Sequence, residues 1–111
     1  MLVLFAARRL TCYAIQVIKD FKCKHTQALF EGAGCHKRFS AFQAQAERKL
    51  QMLNKAEAVK DLRSPPGNRL ETLTGKLDGK WSIRINDQFR LVFEWDEEEN
   101  CARGVYIDDY H

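Results

Sequence analysis

The spacing of hydrophobic positions changes near Pro65, from a helical period before it to a strand period after it. Val17-Ile18-Lys19-Asp20-Phe21 is β-branched and aromatic enough for a short strand, and His25 to Glu31 reads as a short helix ending at Gly32-Ala33-Gly34. Between Lys37 and Asn54, Phe39, Phe42, Ala46, Leu50 and Leu53 recur at steps of three and four. They therefore share one face of a longer helix, which docks on a sheet. Arg48, Lys49 and Gln51 point elsewhere, either as a basic flank for RNA or ribosome or, more plainly, as a solvated helix surface. Ala56 to Leu62 adds a helical turn or two before Pro65-Pro66-Gly67, which cannot continue a helix.

Beyond the prolines the alternation is strict. Arg69 to Leu73 reads as a strand with Leu70 on one side and Arg69, Glu71 and Leu73 on the other, followed by a loop containing Gly75 and Gly79. Trp81, Ile83 and Ile85 alternate with Ser82, Arg84 and Asn86, and Asn86-Asp87 supplies a tight turn. Phe89, Leu91, Phe93 and Trp95 then alternate with Arg90, Val92 and Glu94. The aromatic and aliphatic set forms the core under the helices. Arg84 and Arg90 become exposed neighbours on the opposite face of an antiparallel hairpin. A last strand, from about Gly104 to Asp109, lies beside it.

Composition narrows the class. A chain of 111 residues with 45% apolar and 30% charged residues suits one modest globular domain, neither disordered nor membrane-spanning. The net charge of +3 conceals an asymmetry: residues 37–90 hold twelve Lys or Arg against six acids, a net of +6, and residues 91–111 hold one Arg against seven acids, a net of −6. The basic block suits phosphates, and the acidic run from Glu94 to Glu99 suits a solvated loop. Residues 1–16 carry short apolar patches broken by Arg8-Arg9, too short to cross a bilayer and unlike a signal peptide. They read as an extension preceding a domain at 17–111. Cys12, Cys23, Cys35 and Cys101 contain no C-x-x-C pair, and reduced cytoplasmic thiols are expected. Cys23, His25, Cys35 and His36 have zinc-ligand chemistry but not the spacing of a finger, and adjacent Cys35 and His36 would have difficulty reaching one tetrahedral ion. No metal or other cofactor is expected.

Several motifs occur in order: VIKDF with TQALFEG, AERKLQMLNKA, DLRSPPGNRLETLTG, GKWSIRINDQFRLVFEW and a closing DYH. Residues 17–111 thereby resemble toxins of the HigB group, within the RelE and ParE superfamily of bacterial toxin–antitoxin modules. The resemblance implies an α+β RelE-like fold, a small, mostly antiparallel twisted sheet packed against two N-terminal helices. It implies a toxin that enters the ribosomal A site and cuts translated mRNA. It also implies a HigA-type helix-turn-helix antitoxin, with operator DNA met only through that antitoxin and no membrane involved. The ParE branch offers an alternative, a non-enzymatic toxin that binds a protein target such as gyrase. A further one is an inactive relative that retains antitoxin binding and promoter autoregulation.

The residues can be assigned chemical roles apart from the resemblance. Metal-free RNA cleavage by a ribose 2′-OH needs a base for that hydroxyl, cations for the phosphorane and a proton donor for the leaving oxygen. Arg90, Arg84, Arg69 and Lys76 are candidates for the phosphate charge, since a guanidinium fork binds two oxygens at once. His111 is the strongest proton-transfer candidate and Glu71 the other. Tyr110 could stack on a base or orient the phosphate, and Asp109 could fix the histidine or a neighbouring arginine. The sequence departs from the best-known HigB toxins at two positions, with Glu71 where they carry histidine and Thr74 where they carry lysine. A slower nuclease is expected from those two changes.

Overall fold

Among the described residues, two α-helices and a series of 3-10 turns cover one face of a four-stranded antiparallel sheet whose strands lie side by side in chain order. The computed structural model describes residues 16–75 and 79–109. The strands are β1 (Glu71–Thr72), β2 (Lys80–Arg84), β3 (Phe89–Asp96) and β4 (Cys101–Asp109). The helices are α1 (Lys24–Glu31) and α2 (Gln43–Asn54). This is the α+β arrangement expected from the sequence.

Helix α1 stops where a side chain would be strained. Gly32 has φ 73°, and the N–H groups of Gly32 and Ala33 return to the carbonyls of Leu29 and Ala28 at 3.3 and 2.8 Å, the paired closure that favours glycine. The stretch expected as one long helix is divided: Lys37–Phe42 is a 3-10 turn, and α2 begins only at Gln43. The apolar periodicity survives the division. Phe39, Phe42, Ala46, Leu50 and Leu53 are all buried against Ile83, Phe89, Leu91 and Phe93 of the sheet. Burial of each large side chain contributes roughly 1.5–3 kcal/mol, and Phe89 is gripped from two sides, 4.5 Å from the Phe42 ring centroid and 6.5 Å from that of Phe39. Trp81 and Trp95 pack only against the rim of this core, half-buried.

Four further expectations are revised. Val17 to Phe21 forms no regular strand but makes two isolated parallel bridges to β4, Ile18 to Ala102 and Phe21 to Val105. Parallel pairing slants the bonds, and Val17 and Ile18 give their N–H groups instead to Asn54 Oδ1 at 3.0 and 3.1 Å, which pulls the segment toward the end of α2. The strand expected from Arg69 to Leu73 shrinks to Glu71–Thr72, because Arg69 turns into the left-handed region at φ 47°. The last strand begins earlier than expected, at Cys101. Gly104, at φ 59°, sits where β4 bends opposite an irregularity between Val92 and Glu94. The hairpin between β2 and β3 closes through Asn86, Asp87 and Gln88 rather than two residues. Asn86 Oδ1 accepts from the N–H groups of Gln88 and Phe89, both at 2.8 Å, which makes the turn an Asx turn.

Candidate functional site

Cross-strand pairing decides which side chains meet on the sheet face turned away from the helices. Residues directly opposite one another share a face. Glu71 pairs with Ser82, Ser82 with Val92, and Val92 with Tyr106; Arg84 pairs with Arg90, and Arg90 with Asp108. Two adjacent rows result, Glu71-Ser82-Val92-Tyr106 and Arg84-Arg90-Asp108. Arg84 and Arg90 are neighbours, as the alternation predicts.

Arg90 is not exposed, however. It retains 5% of its surface, against the expectation of a solvated cation. Its Nε donates to Ser82 Oγ at 2.8 Å and its Nη2 to the Arg69 carbonyl at 2.7 Å, and Glu71 Oε1 lies 3.6 Å from Nη2. These partners offset the cost of removing a guanidinium from water. They also fix its plane before any ligand arrives. Arg84 is half-buried and paired with Asp87 across the turn. Arg69, Glu71, Arg84, Asn86, Asp87 and Arg90 line one cavity of about 230 Å³. Three cations and two carboxylates thus line one cavity. Both carboxylates are themselves exposed, Asp87 almost fully, so a stronger anion can displace them from the arginines.

The turn that supplies the Arg69 carbonyl is itself anchored. Pro66–Asn68 forms one 3-10 turn, and fully buried Asn68 (0% exposed) donates to the carbonyls of Leu62 at 3.0 Å and Ser64 at 3.4 Å. Its Oδ1 accepts from Lys49 Nζ at 2.5 Å. Lys49 therefore lies under the site instead of on a solvated helix surface. Burial, and after it the charges of Arg48 and Arg84, holds the Lys49 ammonium pKa below its ordinary range.

Asp109 lies apart from the arginines. It pairs with Phe89 and so belongs to the helix side, where Gln88 Nε2 donates to Oδ2 at 3.2 Å and Arg38 Nη2 stands 3.8 Å away. Asp108 takes the place opposite Arg90. Strand parity carried that signal: Val105 and Ile107 are core residues, so Asp109 follows them inward and Asp108 faces out. The strand is pinned near this point by Thr26 of α1, whose buried Oγ1 accepts from the Ile107 N–H at 3.2 Å. On the outward face Tyr106 carries Lys22 Nζ 5.2 Å above its ring centroid. Burial, then the charge of Asp108, raises the Tyr106 phenol above its usual pKa. Lys76, Tyr110 and His111 lie outside the described residues.

Among the described residues, three or more metal-ligating side chains gather in one place, Asp96, Glu99 and Cys101 at the β3–β4 turn. There Asp96 Oδ1 already accepts the N–H groups of Glu98 and Glu99 at 3.0 and 3.1 Å, and Arg103 engages Asp96, Glu99 and Asp20. Cys23, His25, Cys35 and His36 form no such group, although the His25 and His36 rings lie 4.3 Å apart. No helix among the described residues is long and apolar enough to cross a membrane.

Residues 19–111 match the family model described as the RelE-like toxin of type II toxin-antitoxin system HigB. Toxin HigB-1 of Vibrio cholerae serotype O1 is 40% identical over 92 residues, covering 82% of this chain and 95% of that protein. An uncharacterized protein of Haemophilus influenzae is 43% identical over 63 residues, 57% of this chain and 60% of its own. Among solved structures, the YoeB-YefM complex from Staphylococcus aureus aligns at TM-score 0.49 and 21% identity, over 88% of this chain and 99% of that one. The YoeB/ParE toxin from Agrobacterium tumefaciens aligns at TM-score 0.46 and 17% identity, over 84% and 98%. The chain belongs to the HigB family of RelE-like toxins and is the toxin of a type II toxin–antitoxin system.

Proposed function

We propose that this toxin is a metal-independent, ribosome-dependent endoribonuclease that cuts translated mRNA in the cytoplasm and is neutralised by a HigA-type antitoxin. In this reading residues 17–111 are the toxin domain and residues 1–16 an extension to it. The observation that carries the reading is Arg90, a buried guanidinium held by Ser82 and the Arg69 carbonyl beside Glu71, at a cavity also lined by Arg69 and Arg84. A cation oriented in advance stabilises charge that develops on a phosphorane without reorganising during the reaction.

In the mechanism, a phosphate displaces the Glu71 and Asp87 carboxylates from the arginines and is held by Arg84 and Arg90. Arg69 lines the same cavity, and Lys76 is assigned to the same phosphate from its place in the following loop. Freed of its ion pair, Glu71 takes the 2′-OH proton. The 2′-oxygen bonds to phosphorus, the bond to the 5′-oxygen breaks, and protonated His111 supplies the proton to that leaving oxygen. Tyr110 stacks on or orients the substrate. Asp109, tied to Arg38 and Gln88, acts as a positioning residue for the two residues that follow it in sequence.

The test is cleavage mapping on programmed ribosomes. Wild type should cut within translated codons, and Arg90→Ala and His111→Ala should each suppress cutting and growth arrest. Intact mRNA with ribosomes present would overturn the nuclease reading. Persistent toxicity with DNA damage would point instead to a protein target such as gyrase, and absence of both effects to a regulator that only binds its antitoxin.

A further inference from the structure

Glu71 and Arg90 separate two cavities. Beyond the arginine cavity lies a second, of about 320 Å³, whose lining includes Glu71, Leu73, Ser82, Arg90, Val92 and Asp108. Its chemistry is the reverse of the first. Val92, 2% exposed, makes an apolar floor between strands, and half-buried Leu73 makes a wall. Above the floor stand two carboxylates, Glu71 and Asp108, and one cation, Arg90, already bonded to Ser82 and the Arg69 carbonyl. Asp108 Oδ1 accepts the Asp109 N–H at 3.0 Å, which sets the direction of its carboxylate.

A phosphate would be repelled from such a lining. A flat group with apolar faces and N–H donors at its edge would be accepted, and the volume, near the lower end of ordinary small-ligand pockets of roughly 300 Å³ and above, suits one ring system. The Val92 floor lies one two-residue step, roughly 6.8 Å along the strand, from Arg90, and Asp108 stands opposite Arg90 on the next strand, on the side away from Arg84. That step is of the order separating the phosphate of a nucleotide from a neighbouring base.

We infer that the second cavity is a nucleobase subsite that selects bases bearing an exocyclic amino group, with the Asp108 carboxylate as the reader. A carboxylate only accepts, so it pairs with the amino group of cytosine, adenine or guanine. Uracil turns a carbonyl oxygen toward the same place and is rejected. The inference rests on the nuclease reading for its position beside the scissile phosphate, and on the cavity lining alone for its base preference.

Two measurements separate these dependencies. The first uses 2′-O-methyl hexacytidylate and hexauridylate, which resist 2′-OH attack and differ at C4, amino against carbonyl, and at N3, acceptor against N–H donor. Titrated into the full chain, hexacytidylate should shift the Val92 and Leu73 methyl resonances and bind about tenfold more tightly than hexauridylate. Asp108→Asn, an exposed and nearly isosteric change, should reduce that ratio to about twofold or less, because an amide offers uracil a donor. Equal binding of the two oligonucleotides, no movement of the Val92 methyls, or an unchanged ratio in Asp108→Asn would each overturn the subsite. The second measurement is the cleavage map of wild type and Asp108→Asn over a mixed mRNA pool. Depletion of uracil at one position flanking the cut, relieved in the variant, supports the subsite in its catalytic setting. Cutting with the same base frequencies in both proteins would overturn it. Absence of any cutting would defeat the nuclease reading while the oligonucleotide titration still decides the subsite.

Discussion

Replacing Asn68 with Ala should cost roughly 3 kcal/mol of stability, and the structure shows how that figure arises. The side chain has no exposed surface and meets four partners: Lys49 Nζ at 2.5 Å, Met52 Sδ at 3.0 Å, the Leu62 carbonyl at 3.0 Å and the Ser64 carbonyl at 3.4 Å. A hydrogen bond to a charged group contributes about 1.5–3 kcal/mol net, and leaving a buried carbonyl without a donor costs about 1–3 kcal/mol more. Half-buried Lys49 can turn toward water and recover part of the loss. Roughly 3 kcal/mol is a large share of the 5–15 kcal/mol that holds an ordinary domain together. It corresponds to a fall in Tm of about 10 °C for a chain of this length. Urea titrations should show a lower midpoint with an unchanged slope. A double-mutant cycle with Lys49→Met should give a coupling of about 1 kcal/mol or more, since removing the amine relieves its stranded charge. A loss under about 1 kcal/mol, or strict additivity with Lys49→Met, would refute the idea that this amide is the anchor of the turn.

Other expectations concern the site and its titrating groups. Arg90→Lys keeps a charge but cannot reach Ser82 and the Arg69 carbonyl as one planar fork, so ribosome-dependent cleavage should fall by about 10²-fold or more; near-normal single-turnover rates would argue against a pre-oriented guanidinium. The double change Glu71→His with Thr74→Lys should speed cleavage, and a variant no faster than wild type would show that Glu71 is an adequate base as it stands. The Tyr106 phenol, raised above its ordinary 10.0 by burial and by Asp108, keeps its proton longer in the folded chain than in the unfolded one. Its contribution to stability is therefore intact below the unfolded value and lost as pH rises through the folded one, and the tyrosinate absorbance difference between wild type and Tyr106→Phe should develop above that ordinary value. For Lys49 the sign is opposite: its pKa lies below the ordinary 10.5, so the folded chain sheds the proton first and the penalty on the charged form is relieved as pH rises across that window. Acetylation of Lys49 followed by mass spectrometry should reach its midpoint at a lower pH than the same lysine in a short peptide.

Strand parity made the hairpin legible. Alternation from Trp81 to Trp95 places Arg84 opposite Arg90 and sends Phe89, Leu91 and Phe93 to the core, because a side-chain period of two leaves little choice of face. Helical spacing likewise identified the buried face from Phe39 to Leu53. The burial of Arg90 could not be read this way, since it depends on Ser82 beside it and on a carbonyl twenty-one residues earlier in the chain. Nothing in the local pattern announces that Arg69 turns left-handed and contributes its backbone to the site. The same holds for Lys49, whose polar spacing on α2 is that of a solvated residue until Asn68 is brought beneath it. The same alternation places Asp108 outward beside Arg90, whereas Asp109, the residue the resemblance implies, follows Val105 and Ile107 inward.

The parallel bridges from Ile18 to Ala102 and from Phe21 to Val105 set the order in which the molecule can be assembled. Strand β4 is flanked by β3 on one side and by the segment preceding α1 on the other, and Thr26 holds its Ile107 amide across 81 positions of sequence. Contacts of such long separation slow folding, because the chain must close large loops before any of them is rewarded. During synthesis the earlier segments must wait, with Ile18 and Leu29 uncovered, until β4 has emerged. A chain interrupted before Cys101 would lack the Asp108 position and the cover over its own core, leaving a fragment for proteases instead of a partly active toxin.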